Sequence, residues 1–250
     1  MNNNITILSR LRNEELILPD FLNHIDKFGD EFWFFDDCSN DKSVEILRAH
    51  PKTKKVIRNY FHNTNQTYVQ TAQRHILLEE AKAHSKNEWF MLIEPDERIE
   101  FDFSKIPNNK EIGGIYFQLF DAYITKDNQE PYMGQGLLNF RKYFGPEYRE
   151  ICFLFRKDMA QFDIAIPACR QPNISGTKIV SGLVQHFGKA ISIEQFQETC
   201  KYYMKSVPIL SEKWEKRLGQ AIHSKSDFDR PLMTWKNIKD VKNKNKLVKI

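Results

Sequence analysis

Hydrophobic residues in the first hundred positions gather into short dense runs, each followed by a polar turn rich in acids. Ile5-Thr6-Ile7-Leu8, Phe32-Trp33-Phe34-Phe35 and Trp89-Phe90-Met91-Leu92-Ile93 are too short for ordinary helices and suit buried strands. The first run is closed by Ser9-Arg10-Leu11-Arg12-Asn13-Glu14-Glu15, the second by Asp36-Asp37-Cys38-Ser39-Asn40-Asp41, and the third by Glu94-Pro95-Asp96-Glu97. A helical pattern at Val44, Ile46 and Leu47 follows the second turn. Another spans about residues 66–83, where Val69, Ala72, Ile76 and Ala83 fall on one helical face and Arg74 projects elsewhere. Strand, polar loop and helix in alternation predict a parallel sheet with helices on its faces.

The second half reads less regularly. Residues 114–120 form a strand candidate ending at Asp121, and residues 151–156 form another. An apolar run ends in Gln185-His186-Phe187-Gly188. Ser192, with Gln195 three residues on, caps a helix whose Ile193, Phe196, Cys200 and Tyr203 share a face. A further helical segment from Ser211 leads through Trp214 and Leu218 to Arg230-Pro231 and a basic tail. The simplest division is one domain over residues 1–210 and a helical, basic extension over residues 211–250.

Composition narrows the class. At 250 residues and 41% hydrophobic content the chain can bury a large α/β core. No apolar run approaches the roughly 18 residues a membrane helix needs. Met1-Asn2-Asn3-Asn4 lacks the basic and apolar regions of a secretory signal, so a cytoplasmic location is expected. Cys38, Cys152, Cys169 and Cys200 contain no C-x-x-C pair and are read as reduced thiols. The last fifteen residues hold six lysines against Asp240, which leaves the rest of a chain of formal charge +4 close to neutral. Such a tail suits an anionic lipid surface at the inner face of the cytoplasmic membrane, at roughly 1 kcal/mol per basic residue; a solvated terminus is the plain alternative.

If the third strand ends at Ile93, then Glu94, Asp96 and Glu97 emerge at its carboxyl edge, where open α/β sheets bind ligands. A few oxygen ligands beside open positions suit a hard cation bound together with phosphates.

The ordered set I-T-I-L-S-R-L-R-N-E-E, F-W-F-F-D-D-C-S-N-D-K-S and W-F-M-L-I-E-P-D-E-R-I resembles the family 2 glycosyltransferases over roughly the first hundred residues. The resemblance implies a GT-A type fold, in which a Rossmann-like, mostly parallel sheet is flanked by helices. It also implies inverting transfer of a sugar from a nucleotide diphosphate sugar to a glycan or lipid-linked saccharide, as in cell-envelope polysaccharide or lipopolysaccharide biosynthesis. By the same resemblance Asp37 and Asp36 meet the base or ribose, with Asn13 and Glu14 closing beside them, and Arg74 faces the nucleotide or braces the acidic loop. Glu94-Pro95-Asp96 stands where the family has Asp-x-Asp, so Asp96, with Glu94 and the late His186, is expected to hold Mn2+ or Mg2+.

Inversion needs a base that takes the proton of the attacking hydroxyl; Glu147, Glu150 and Asp121 are the candidates, and their ranking stays open. The aromatic and glycine-rich segment over residues 132–149 reads as a loop suited to an acceptor sugar. Two other classes remain in play. A sugar nucleotidyltransferase usually opens with a glycine-rich loop, which Ser9 to Glu15 lacks, and a degenerate, non-catalytic nucleotide-binding module would keep the fold. Nucleic acid is not an expected partner.

Overall fold

Strands whose neighbouring side chains both face protein read as continuous apolar runs, and here they build the centre of a large sheet. In the computed structural model, which describes residues 4–242 and 247–250, β1 (Ile5–Leu11) lies between β2 (Glu31–Asp37) and β4 (Trp89–Leu92), parallel to both, with β3 (Thr53–Asn59) parallel to β2 at the edge. Beyond β4 come β7 (Tyr143–Arg156), β6 (Ile112–Tyr123), β10 (Thr177–His186) and β5 (Glu97–Glu100). Only β7 and β5 run antiparallel to their neighbours along this path, so the sheet is mixed and mostly parallel. The short pair β8 (Ala160–Gln161) and β9 (Asn173–Ile174) forms a separate ribbon.

Successive strand residues point to opposite faces, and the core divides accordingly. Ile5, Ile7, Phe32, Phe34 and Met91 pack with Leu18, Phe21, Leu22 and Ile25 of α1 (Leu18–Ile25) and Leu47 of α2 (Ser43–Ala49). Leu8, Trp33, Phe35, Phe90 and Leu92 pack on the other face with Leu77, Leu78 and Ala81 of α3 (Val69–His84).

Two expectations are corrected. The inward face of α3 is not the Val69, Ala72, Ile76 and Ala83 stripe: Ile76 is 48% exposed, while Gln70, Gln73 and Arg74 are buried. A hydrophobic stripe assumes that polar residues face water, whereas Gln73 and Arg74 bond to polar groups at the sheet's rim. The segment 132–149 is likewise not one loop, since β7 begins at Tyr143. Gly145, Pro146 and Glu147 blur its alternation, and β11 (Met233–Thr234) and β12 (Val248–Lys249) flank this half of the strand.

Ser192 accepts from the Gln195 N–H and starts α4 (Ile193–Ser206), which α5 (Ser211–Glu215) follows. The carboxyl-terminal segment then returns to the sheet, where Trp235 and Ile238 of α6 (Trp235–Lys242) pack with Phe120 and Phe144. Within the basic tail, Lys239 pairs with Glu100 and Lys249 with Glu150, whereas Lys244 and Lys246 lie outside the described residues, as do Met1, Asn2 and Asn3. No helix among the described residues is long and apolar enough to cross a membrane, and the four cysteines are free.

Arg98 of β5 is fully buried; it donates to both carbonyls of Pro95 and Glu97 and, through Nε at 2.9 Å and Nη2 at 2.6 Å, to Asp20 of α1. Asp20 also accepts from the Leu137 N–H at 2.9 Å. Removing one member of such a pair strands a charge away from water, so Asp20→Ala should cost about 3 kcal/mol in urea unfolding; a loss below 0.5 kcal/mol, the size of an ordinary surface change, would contradict that role.

Candidate functional site

Because β2, β1 and β4 are parallel neighbours, the polar turns that follow them leave the sheet at the same rim. Asp37, at the end of β2, is fully buried and accepts from Arg10 Nη2 at 2.8 Å, Gln73 Nε2 at 2.6 Å and Asn59 Nδ2 at 3.1 Å, with His62 Nδ1 at 3.2 Å. Asp36, equally buried, accepts from the Ser39 N–H at 3.2 Å and lies 3.5 Å from Arg58 Nε. Asn13 adopts a left-handed backbone at φ +55°, which Asn tolerates. Its N–H donates to Ser39 Oγ and its side-chain oxygen accepts from the Asn40 N–H, both at 2.9 Å, while the Glu14 N–H donates to Ser43 Oγ. The first two turns are thereby laced together. Burial raises the Glu14 carboxyl well above its ordinary range, with Asp96, Glu94 and Asp41 adding to the rise.

The acids after β4 carry their own cations. Glu94 Oε1 receives Arg74 Nη2 at 2.5 Å and lies 2.8 Å from Arg170 Nη1. Burial works against its charge, but Arg170 and Arg74 hold the carboxyl well below its usual range. Glu97 is 1% exposed, accepts from the Glu94 N–H at 2.8 Å, and meets Arg170 Nη2 at 2.6 and 2.5 Å.

Strand register does the rest. β10 lies between β5 and β6, and His186 is opposite Glu97 on one side and Asp121 on the other. Its Nδ1 is 2.6 Å from Asp121 Oδ1 and its Nε2 is 3.4 Å from Asp96 Oδ2. Burial alone would lower the imidazole pKa; Asp96 and Asp121 override it and push the value up to about 10. Asp121 is held well below its usual range, because Arg149, Lys189 and His186 outweigh its burial.

Asp96, Glu97 and His186 offer ligand atoms that all lie within 4.8 Å of one another, and Asp96 Oδ1 is buried with no hydrogen-bond partner. Two oxygens and an imidazole nitrogen suit manganese-type chemistry. Space beside them is kept clear by Gly188, where an added Cβ would sit 2.6 Å from Asp96 Oδ2 and 2.8 Å from His186 Nε2.

Of the residues singled out from sequence, Asn13, Glu14, Asp36 and Asp37 stand at the turns after β1 and β2. Arg74, Glu94, Asp96, His186 and Asp121 stand at the acid centre. Glu97, and not Glu94, lies within 4.8 Å of both Asp96 and His186, and Arg170 is bound to both glutamates. Arg74 pairs with Glu94 of the acidic loop. Glu147 and Glu150 are engaged elsewhere, Glu147 with Ser226 Oγ at 2.8 Å and Glu150 with Lys249. Sequence reading missed Arg10, Gln73 and Arg170. Arg10 carries a signal, being the last polar residue of a strand that opens onto the rim, whereas Arg170 sits in an irregular segment without one. It also missed the cover supplied by α4, whose Tyr203 is raised to about 12 by burial, with Glu94 and Asp96 contributing.

No family model matches the chain, and no curated protein matches it. Among solved structures, S. aureus TarS is similar at 14% identity and a TM-score of 0.43, over 85% of this chain and 41% of that one. The chain thus spans about two fifths of that relative's length. A structure of S. aureus TarS 1-349 in complex with UDP-GlcNAc is similar at 15% identity and a TM-score of 0.40, over 86% and 70% of the respective chains. HddC from Yersinia pseudotuberculosis is similar at 10% identity and a TM-score of 0.39, over 79% and 99%.

Two outcomes follow. A histidine whose pKa is raised from its ordinary value near 6.5 to about 10 contributes stability that is complete below pH 6.5 and fades as the pH rises through 10. In urea unfolding with EDTA, His186→Gln should therefore lose most stability near pH 6 and progressively less toward pH 10; a pH-independent deficit would refute the charged ring. Gly188→Ala should weaken Mn2+ binding in calorimetry at least tenfold and, because the methyl must displace Asp96 or His186, lower the unfolding free energy by about 1–3 kcal/mol. Unchanged Mn2+ affinity would show that the space beside Asp96 is not used.

Proposed function

We propose that the protein is an inverting glycosyltransferase of the family 2 type, moving a sugar from a nucleotide diphosphate sugar to a saccharide hydroxyl. The observation that carries this reading is the meeting of Asp37 and the Glu94 to Glu97 acids at one rim, linked through Arg10, whose Nε donates to Gln73 on the helix that also supplies Arg74. A nucleotide across this rim would meet Asn13, Glu14, Arg12 and His62. Asp36 and Asp37, both fully buried, stand behind and hold those groups in place. Asp96, with Glu97 and His186, would hold Mn2+ or Mg2+, which when bound offsets the charge gathering on a departing diphosphate.

Asp121 is the base in this reading. It stays ionised at neutral pH under Arg149, Lys189 and His186, and it adjoins the acid centre through a 2.6 Å contact with the imidazole. An attacking hydroxyl beside it would pass its proton to the carboxylate as the oxygen bonds to the anomeric carbon and the diphosphate leaves from the opposite face. Residues 1–210 form the catalytic part in this assignment, and residues 211–250 close its acceptor side. A glycan or lipid-linked acceptor in envelope polysaccharide assembly fits the resemblance of the first hundred residues.

A non-catalytic nucleotide-binding module is the rival, favoured by the two arginines that take up the charge of Glu94. Calorimetry with UDP and GDP, with and without Mn2+, separates them: the transferase requires metal-enhanced nucleotide binding together with slow hydrolysis of some nucleotide sugar in a panel. Asp96→Asn should lower that turnover by about 10²-fold or more while the folded state persists, the scale seen when one charge-stabilising group is lost. Full turnover in Asp96→Asn would remove this residue from the reaction.

A further inference from the structure

Beside Asp121 lies a concavity of about 790 Å³, lined by residues of β6 and β7, by Lys213 of α5 and the segment after it, and by Ile250. Its size suits a small organic ligand. Five basic side chains line it against three aspartates, and the balance is more uneven than that count because of how they pair. Lys216 is bound to Glu212 at 2.6 Å and Lys225 to Asp229 at 2.8 Å, both pairs largely exposed. One carboxylate, Asp227, serves two cations, Lys189 at 2.6 Å and Arg217. Arg149 shares Asp121 with Lys189 and His186.

Lys213 has no ion-pair partner among the described residues. Lys213 is exposed, and desolvation by the surrounding residues together with the charges of Arg217 and Arg149 lowers its ammonium pKa. With Lys213 unpaired among the described residues and Asp121 and Asp227 each shared among several cations, the cavity holds positive charge that its own carboxylates leave unmet. Beside these cations, Phe228 at 53% exposure and Ile222 at 48% present apolar surface to the same space. An aromatic face next to a cluster of cations is a fit for a pyranose ring bearing an anionic group.

Resting on the transferase reading above, we infer that this cavity is the acceptor subsite and that it selects a saccharide carrying a phosphate or carboxylate, gripped by Lys213 and Arg217 with its reacting hydroxyl toward Asp121. The shared residue makes this economical, since Asp121 lines the cavity and its Oδ1 meets both Arg149 of the cavity wall and His186 of the acid centre, each at 2.6 Å. An anion held by Lys213 and Arg217 would leave the neighbouring hydroxyls of the same ring facing that carboxylate.

The test is a backbone-amide NMR titration of the full chain in saturating UDP and Mn2+, so that the nucleotide site is filled, with glucose 6-phosphate, glucuronate and glucose as separate probes. UDP binding is read first. Glucose 6-phosphate or glucuronate should shift the amides of Lys213, Arg217 and Asp227, glucose should not, and Lys213→Glu should weaken the response at least tenfold in a protein whose other resonances are unchanged. A response to the phosphate probe alone assigns a phosphorylated acceptor, and one to glucuronate alone a carboxylated one. UDP binding without any response to either acidic sugar, equal shifts with glucose, or full affinity in Lys213→Glu would overturn the acidic-acceptor assignment and leave the transferase reading standing. Absence of UDP binding, with GDP binding absent as well in the calorimetry above, would instead remove the transferase reading, and the acceptor role with it.

Discussion

Carboxylates at the carboxyl rim of the sheet are withdrawn from water, and each has to be met by a cation or by several hydrogen-bond donors. The effective penalty for a buried uncompensated charge is several kcal/mol, against about 1.5–3 kcal/mol for burying one large apolar side chain. That ordering of magnitudes explains why α3 turns Gln73 and Arg74 inward and leaves Ile76 half exposed. It also explains why an irregular segment far along the chain comes to this rim, because Arg170 meets both Glu94 and Glu97. Arg10 from β1, Arg74 from α3, Arg170 from that segment and His186 from β10 all converge on acids supplied by β2, β4 and β5. The packing of the outer elements is therefore set by charge at the rim as well as by the apolar faces of the sheet.

The same physics decides what could be read from the chain. β1, β2 and β4 were legible because strands covered on both faces are almost purely apolar. The edge strand β3 was not, because Lys54 and Lys55 face solvent and break the pattern, as edge strands commonly do. The turns after β1, β2 and β4 were legible as one rim, since parallel order follows from strand and helix alternation. The place of Glu97 was not, because it depends on β5 pairing antiparallel to β10, a strand some eighty residues later. Periodicity misplaced the inner face of α3 for a related reason: a stripe rule has no way to know that an arginine is buried against a glutamate.

Across the rim the charge changes character. On the side of Glu94 and Glu97 arginines answer both glutamates, and the atoms left without a hydrogen-bond partner include an acid oxygen, Asp96 Oδ1. On the side of Arg149, Lys213 and Arg217 the unmet charge is positive. A surface built this way invites a cation on one side and an anion on the other, and the two meet at His186 and Asp121.

His186 is the joint between them, and its two nitrogens are not equivalent. Nδ1 lies 2.6 Å from a carboxylate held ionised by Arg149 and Lys189, so the proton on that nitrogen has a strong acceptor. Nε2 lies 3.4 Å from Asp96, a weaker contact. When the ring gives up one proton, the Nε2 proton is the one that leaves, and a lone pair then faces Asp96 and Glu97. A ring nitrogen that donates to a carboxylate while its partner nitrogen faces oxygen ligands is the arrangement by which histidines at metal centres are oriented and made more basic. The high pKa of the free ring and its suitability as a ligand therefore have one cause, the two aspartates on either side. A divalent ion held by Asp96, Glu97 and His186 would take the place of the Nε2 proton, while Nδ1 would keep its contact with Asp121.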